Sequence, residues 1–510
     1  MDEQTKGKTM ERQGKKKRGL LRIFCLVLAA LLLAGAAWYG YTALKHRREL
    51  EAVVEVSAPL DAEGLQALEQ YPNLARVDLT GSPDIPAVLA WADAHPQVDV
   101  VYACDLGGTT TDNKAAALTL EKGGYTLEAL REWLPLLPAL RELELRELVC
   151  APEDIAALRE ANPDKTIRYT VAVGGQTVSE DAQELDLTAL TPDKLEETIA
   201  AMRLLPALTT VELTDAEGNN LLALTDLQKL QAARSDVLFR YRFELFGQTV
   251  STEDERIEYK KAEIGNDGVA ELRAAIPVLT RCTYLLLDDC GIDNELLAAL
   301  RADFPETKIV WRVHIAYLNF LTDVKVIHLT FELTDKNAQV MRYCNEVEYL
   351  DIGHNTISDI SFVTGMPELK LFILSYNHVK DLTPLASCKK LEMLELYFCF
   401  LLKDISPLTE CDSLQLLNIS ATGVRDISPA CEMKNLKRFY CIMNLGIPDE
   451  QKTAVREALP DCWITFEQKV SKNVGWSFDE KGGVRAQWYL DMAKIFRYRV
   501  EDWFFGGMPE

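Results

Sequence analysis

Histidine is scarce in this sequence: six occur among 510 residues, at His46, His95, His314, His328, His354 and His378. None lies in a His-Glu-x-x-His pattern, and no Gly-x-Ser-x-Gly elbow is present to hold a serine nucleophile. No glycine-rich turn is followed by Lys-Ser/Thr, and no dinucleotide fingerprint occurs, so phosphate cradling is not indicated. His354 and His378 approach one sheet edge in the register given below, but two imidazoles without a carboxylate or cysteine make a poor metal site. The acidic stretch Asp288 to Glu295 lacks the alternation of a calcium loop and reads as a solvated turn. The expectation is a non-enzyme with no cofactor and no metal.

Positive charge is also scarce, except at the start. Residues 1–48 hold 11 Lys+Arg against 3 Asp+Glu, whereas the rest holds 44 against 75. An acidic body of that size repels phosphate backbones, so nucleic acid is not an expected partner. The basic excess flanks one uncharged apolar run, Ile23 to Leu44. As a helix rising about 1.5 Å per residue, it spans a ~30 Å hydrocarbon core. More cations precede the run (Lys15, Lys16, Lys17, Arg18, Arg22) than follow it (Lys45, Arg47, Arg48), which predicts a cytoplasmic N-terminus and an exported body. Trp38 and Tyr39 fall near the outer interface. The alternative is a cleaved signal peptide, since Ala34-Gly35-Ala36 resembles a small-residue cleavage site. No lipobox cysteine follows the apolar core, and no sortase-type Leu-Pro-x-Thr-Gly signal ends the chain.

Repeats dominate the exported body. Between Val347 and Asn444 the fourth position of each block is Leu350, Phe372, Leu394, Leu417 and Phe439, at spacings of 22, 22, 23 and 22. The sixth is Ile352, Leu374, Leu396, Ile419 and Cys441, and the ninth is Asn355, Asn377, Cys399, Thr422 and Asn444. Stretches such as Asp404-Ile405-Ser406-Pro407-Leu408 and Asp381-Leu382-Thr383-Pro384-Leu385 recur in phase. This pattern is similar to the leucine-rich repeat, in the 22-residue form of bacterial internalin-like proteins. Each coil supplies one short strand to a parallel sheet, and no coil buries its apolar face alone, so stacking is obligatory. The position-nine Asn is expected to turn inward and satisfy backbone groups, less regularly where Cys399 and Thr422 replace it.

Twelve cysteines are many for an exported chain, and Cys25 lies in the apolar span, leaving an odd eleven. Met366, Cys388, Cys411 and Met433 share one inward site of successive coils, where cysteine acts as a small buried hydrophobe. Cys282 and Cys290 are a possible disulfide pair. Upstream, a looser unit of about 70 residues carries three strands, again ~23 residues per coil. Glycine turns at Gly107-Gly108, Gly174-Gly175 and Phe246-Gly247 suggest projecting hairpins. Amphipathic helices are read at Leu127 to Leu134, Leu195 to Leu205, Val269 to Leu279 and Glu295 to Phe304. Near the end, Trp488, Met492, Ile495, Phe496, Val500 and Trp503 recur on one helical face, as a cap on the last coil or an interfacial membrane helix.

The expected fold is therefore α/β: a leucine-rich-repeat solenoid with a parallel concave sheet and convex helices, preceded by one transmembrane helix. Its parts are a basic tail (1–22), the membrane helix (23–44), a linker (45–52), irregular repeats (53–322), regular repeats (323–466) and a cap (467–510). In the regular register, positions three, five, seven and eight face out from the sheet. There Tyr349, Leu371, Ile373, Tyr376, Met393, Tyr397, Phe398, Leu416 and Tyr440 form an apolar and aromatic stripe where a solvated face should be polar. In internalin-like proteins the corresponding face binds a partner protein, so the resemblance implies a protein or peptide ligand here. Two alternatives stay open: the C-terminal tail or a hairpin covers the stripe, or the chain is a structural component of the cell envelope.

Overall fold

The computed structural model describes residues 3–467, 476–478 and 484–498, and side chains from Arg22 onward together with Gly19. The chain divides into two compact units, Met1–Val211 with Ala232–Leu238, and Glu212–Gln231 with Phe239–Glu510.

The first unit begins with one long helix, Glu3–Glu51. Its portion Arg22–Glu51 is long and apolar enough to cross a membrane, with a mean hydropathy of 2.2 over its most apolar 18 residues. Ile23, Leu26, Leu32 and Trp38 stand exposed on it. Next comes a parallel sheet of Glu55–Ser57, Arg76–Asp78 and Asp99–Val101, then an antiparallel hairpin, Ala103–Asp105 with Thr110–Asp112. A second parallel set follows, Ala117–Leu120, Glu142–Leu145 and Thr166–Val173, whose last strand turns back into Gln176–Ser179. Helices separate the strands, including Leu127–Trp133 and Pro152–Ala161.

The second unit repeats this scheme once. Arg242–Leu245 pairs with Gln248–Ser251, and Arg256–Lys260, Tyr284–Asp288 and Lys308–Ile315 run parallel. Lys308–Ile315 then folds back on Leu318–Leu321. The three glycine turns thus do close hairpins. The fourth hairpin has none: Ala316 takes the left-handed conformation instead, at φ 52°.

A seven-stranded parallel sheet follows: Val326–His328, Tyr349–Asp351, Leu371–Ile373, Met393–Glu395, Leu416–Asn418, Arg438–Tyr440 and Trp463–Thr465. Its register aligns Leu350, Phe372, Leu394, Leu417 and Phe439, all fully buried. Between the inner strands, from Tyr349–Asp351 to Arg438–Tyr440, the connecting segments are 3-10 turns rather than α-helices, at Ser361–Gly365, Thr383–Ser387, Ser406–Glu410 and Ser428–Glu432, while the first and last connections carry the α-helices Asp335–Ala338 and Asp449–Ala458. Five residues suit the tighter helix, which tolerates only short runs. Each start is fixed by an aspartate two residues ahead: Asp359, Asp381, Asp404 and Asp426 accept from the amides of Ser361, Thr383, Ser406 and Ser428 at 2.8, 2.8, 2.8 and 3.0 Å. Proline in the first turn presets the backbone in three of the four.

The asparagine ladder follows the expected order at Asn355 and Asn377, but Asn444 departs from it and donates to the Thr422 hydroxyl at 2.7 Å. Asn377 accepts from the Ile357 amide at 2.9 Å and donates to the carbonyls of Ile352 and Leu374 at 2.8 and 3.0 Å. Cys399 has only a thiol contact to Leu374 O, at 3.3 Å, and Thr422 donates to Ile419 O at 2.8 Å. All twelve cysteines are free thiols. Cys388 and Cys411 are buried in the core, and burial pushes their thiols up to about 11 and about 12. Cys282 and Cys290 do not pair. They flank the strand Tyr284–Asp288, and an extended span of that length separates them by roughly 20 Å, beyond any disulfide.

Candidate functional site

The outward face of the seven-stranded sheet is not one open surface. A C-terminal segment lies on its centre, formed by Trp476–Phe478 and the helix Gln487–Ile495. Leu371, Ile373, Met393 and Tyr440 are buried beneath Trp476, Tyr489, Met492 and Phe496, and Tyr349 and Leu416 are partly buried against the same cluster. Each large apolar side chain fully buried in this way contributes about 1.5–3 kcal/mol. The amphipathic helix read from the sequence is therefore present, but its apolar face covers the sheet instead of the last coil. Val500 and Trp503, assigned to that face, lie outside the described residues.

Polar groups pin the segment down. The Trp476 indole donates to Glu395 Oε2 at 2.7 Å, and Ser375 donates to Oε1 at 3.0 Å. The Tyr498 hydroxyl donates to the Asp351 carboxylate, which also accepts from the Gly353 amide at 2.9 Å. His328 Nε2 lies 3.5 Å from Asp351, and its ring meets Tyr498 edge-on at 5.0 Å. Burial raises both the Asp351 and Glu395 carboxyls above the ordinary carboxylate range, and the hydrogen-bond donors oppose that rise. These two acids read in the sequence as ordinary solvent-facing positions. Nothing local marks them, because their partners lie 81 and 147 residues away.

The edge of the same face is open. Tyr376 and Phe398 are 37% and 41% exposed, and Tyr397 is half-buried beside them. Position eight of each coil ends the strand in the left-handed region: His354, Tyr376, Phe398, Ala421 and Met443 have φ between 55° and 62°. Bulky residues pay a steric cost there, so aromatic rings at such a position are unusual. The turn aims successive rings along the edge. His354 stacks on Tyr376 at 4.4 Å, Tyr376 on Phe398 at 4.9 Å, and Phe400 meets Phe398 edge-on at 6.5 Å. Phe400, Met443 and Leu445 extend this exposed edge and were not in the stripe read from the sequence. Phe400 escaped because it belongs to position ten, which the strand pattern does not place on the face.

Among the described residues no cluster of three or more metal-ligating side chains occurs. His314 and Asp289 form an exposed pair at 3.0 Å. A cavity of about 450 Å³ elsewhere in the unit is lined by Arg301, Lys308, Asp323 and Glu346; Lys308 is paired with both acids and Arg301 bonds Asn345.

A family model for leucine-rich repeats, in two copies, matches residues 367–410. The chain carries leucine-rich repeats. Solved structures with which it aligns include an internalin from Listeria monocytogenes, at 15% identity over 82% of this chain and 84% of that one, with a TM-score of 0.22. A leucine-rich-repeat protein of Leptospira interrogans aligns at 18% identity over 83% and 98%, with a TM-score of 0.26. A search of curated protein sequences gives no match. At these scores the superpositions carry no detail of a site, and the repeat assignment rests on the coils and the family match.

Proposed function

We propose that this leucine-rich-repeat protein is a binding protein without catalytic activity, anchored by its N-terminal helix as a single-pass membrane protein with the repeats outside the cytoplasm. Its ligand is a protein or peptide, met on the sheet side of the regular coils. The observation that carries this reading is the exposed aromatic ladder through Tyr376 and Phe398, held by a rigid sheet in a backbone conformation that costs energy to maintain. Rigid, clustered aromatics are the composition of binding hot spots. Of the stripe read from the sequence, Tyr376, Tyr397 and Phe398 are available for first contact. Tyr349, Leu371, Ile373, Met393, Leu416 and Tyr440 become available only if the C-terminal segment leaves.

The anchor is supported by the length and hydropathy of Arg22–Glu51 and by the cation excess on its N-terminal side. Protease added to intact cells should degrade the repeat body; full protection would reverse the orientation. For binding, the intact chain in detergent should capture a protein partner that Tyr376→Ser with Phe398→Ser no longer captures. Retention of the partner by that variant would remove the edge from the binding surface and favour an envelope scaffold.

A further inference from the structure

The exposed edge has a gap. Positions eight and ten hold Phe398 and Phe400 in one coil, Ala421 and Gly423 in the next, and Met443 and Leu445 in the one after. Strands stand about 4.8 Å apart, so the bulky pairs, two strands from each other, bracket a notch about 10 Å wide at the backbone. Its walls are solvent-exposed, at 52% for Phe400, 61% for Met443 and 82% for Leu445. The floor is tight: a Cβ on Gly423 would lie 2.8 Å from the carbonyl oxygens of both Phe400 and Leu402. Only glycine fits there, and it keeps the notch open.

Charge gives a second, independent observation. The residue just before the turn aspartate is Lys380, Lys403 or Arg425 in successive coils, all exposed. Among the described residues none of the three has an ion pair or a hydrogen-bonded side chain, in a chain of net charge −23. The aspartates that follow them are turned into their own 3-10 turns and do not neutralise them. The Lys403 stem passes 3.4 Å from where a Gly423 Cβ would stand, and the Arg425 stem runs 3.8 Å from the same point on Gly446. Two unpaired cations therefore rim an apolar notch.

We propose that this notch receives a bulky aromatic side chain of a partner peptide whose neighbouring carboxylates meet Lys403 and Arg425. This rests on the binding reading above and adds to it the chemistry of the ligand. The aromatic ring is flanked by Phe398 and Phe400 on one side and the flexible Met443 on the other, while flanking acids gain cations that have no other partner.

The test uses the full chain in detergent and fluorescence anisotropy with short tryptophan-centred peptides flanked by aspartate, serine or lysine. The aspartate-flanked peptide is expected to bind at least ~10-fold more tightly than the serine-flanked one, a factor equal to about 1.4 kcal/mol, with the lysine-flanked one weakest. Ala421→Phe should abolish binding of all three; neighbouring coils already hold Tyr376 and Phe398 at the same left-handed φ, so the fold accommodates it. Lys403→Glu with Arg425→Glu should reverse the order of the flanks. Equal binding by the three peptides, no saturable binding by any, or an unaffected Ala421→Phe overturns the notch. Binding that emerges only after residues 499–510 are removed assigns the notch to the chain's own terminus and overturns an external ligand. A protein partner lost in the Tyr376→Ser, Phe398→Ser variant yet retained by Ala421→Phe keeps the binding reading and rejects this inference; no capture at all rejects both.

Discussion

At the centre of the sheet face, Leu371, Ile373, Met393 and Tyr440 lie beneath the C-terminal segment, whereas at its edge Tyr376 and Phe398 stand in solvent. Leu371 and Ile373 share a coil with Tyr376, Met393 shares one with Phe398, and both groups carry the same kind of side chain. What separates them is backbone conformation. Positions three and five are in the strand and present a flat surface that a helix can cover. Position eight sits in a left-handed turn past the strand end and projects beyond the reach of that helix. The centre is thus part of the fold, and the edge is what the fold presents.

Substitutions sharpen this contrast, beginning with the largest effect. Trp476→Ala removes a buried aromatic and leaves Glu395 Oε2 without its donor, and should cost about 3–5 kcal/mol in the unfolding of the C-terminal segment, read by urea titration. A loss below about 1 kcal/mol would mean the segment does not hold the centre. Asn377→Ala strips the amide of Ile357 of its acceptor inside the core and should cost about 2–3 kcal/mol, against roughly 1 for Thr422→Ala in the next coil but one. Equal costs would show that the ladder is not graded along the solenoid.

A smaller effect comes from pH and acts on the centre alone. Burial raises Asp351 and Glu395, so both bind protons more readily with the segment docked than with it released. That contribution to docking is fully present below the ordinary carboxylate range and is lost as pH rises through the raised values. The slope approaches at most about 1.4 kcal/mol per pH unit for each carboxylate. Glu395→Gln should flatten the urea midpoint against pH; an unchanged slope would remove Glu395 from the linkage. The smallest change in stability is expected at the edge, where Tyr376→Ser and Phe398→Ser should each shift stability by less than about 1 kcal/mol. A loss comparable with Trp476→Ala would make the edge part of the core after all.

The parts of the molecule legible in its sequence are those with local causes. The strand register of Val347 to Asn444 followed from spacing, because every coil must return the same side chain to the same shared core. Three hairpins followed from their glycines, while the one at Ala316 did not, since alanine rarely carries a positive φ. The 3-10 turns are written in the repeated Asp-x-Ser/Thr-Pro, although the apolar spacing alone suggests helices of ordinary kind. The stripe itself was legible, but its division was not. Asp351 and Glu395 carry no local sign that Tyr498 and Trp476 will meet them, and a composition-based reading cannot distinguish an apolar face awaiting a partner from one already covered by its own chain.

Hydroxyl-radical footprinting of the intact chain tests that division most directly. Tyr376, Phe398, Phe400 and Met443 should be modified at the rates of exposed side chains, and Met393, Tyr440 and Trp476 should be protected by at least ~10-fold relative to the same residues in urea, in keeping with local opening that costs more than ~1.4 kcal/mol. Modification of Met393 and Tyr440 as fast as Met443 and Tyr376 would contradict it, and would return the whole stripe to the binding surface.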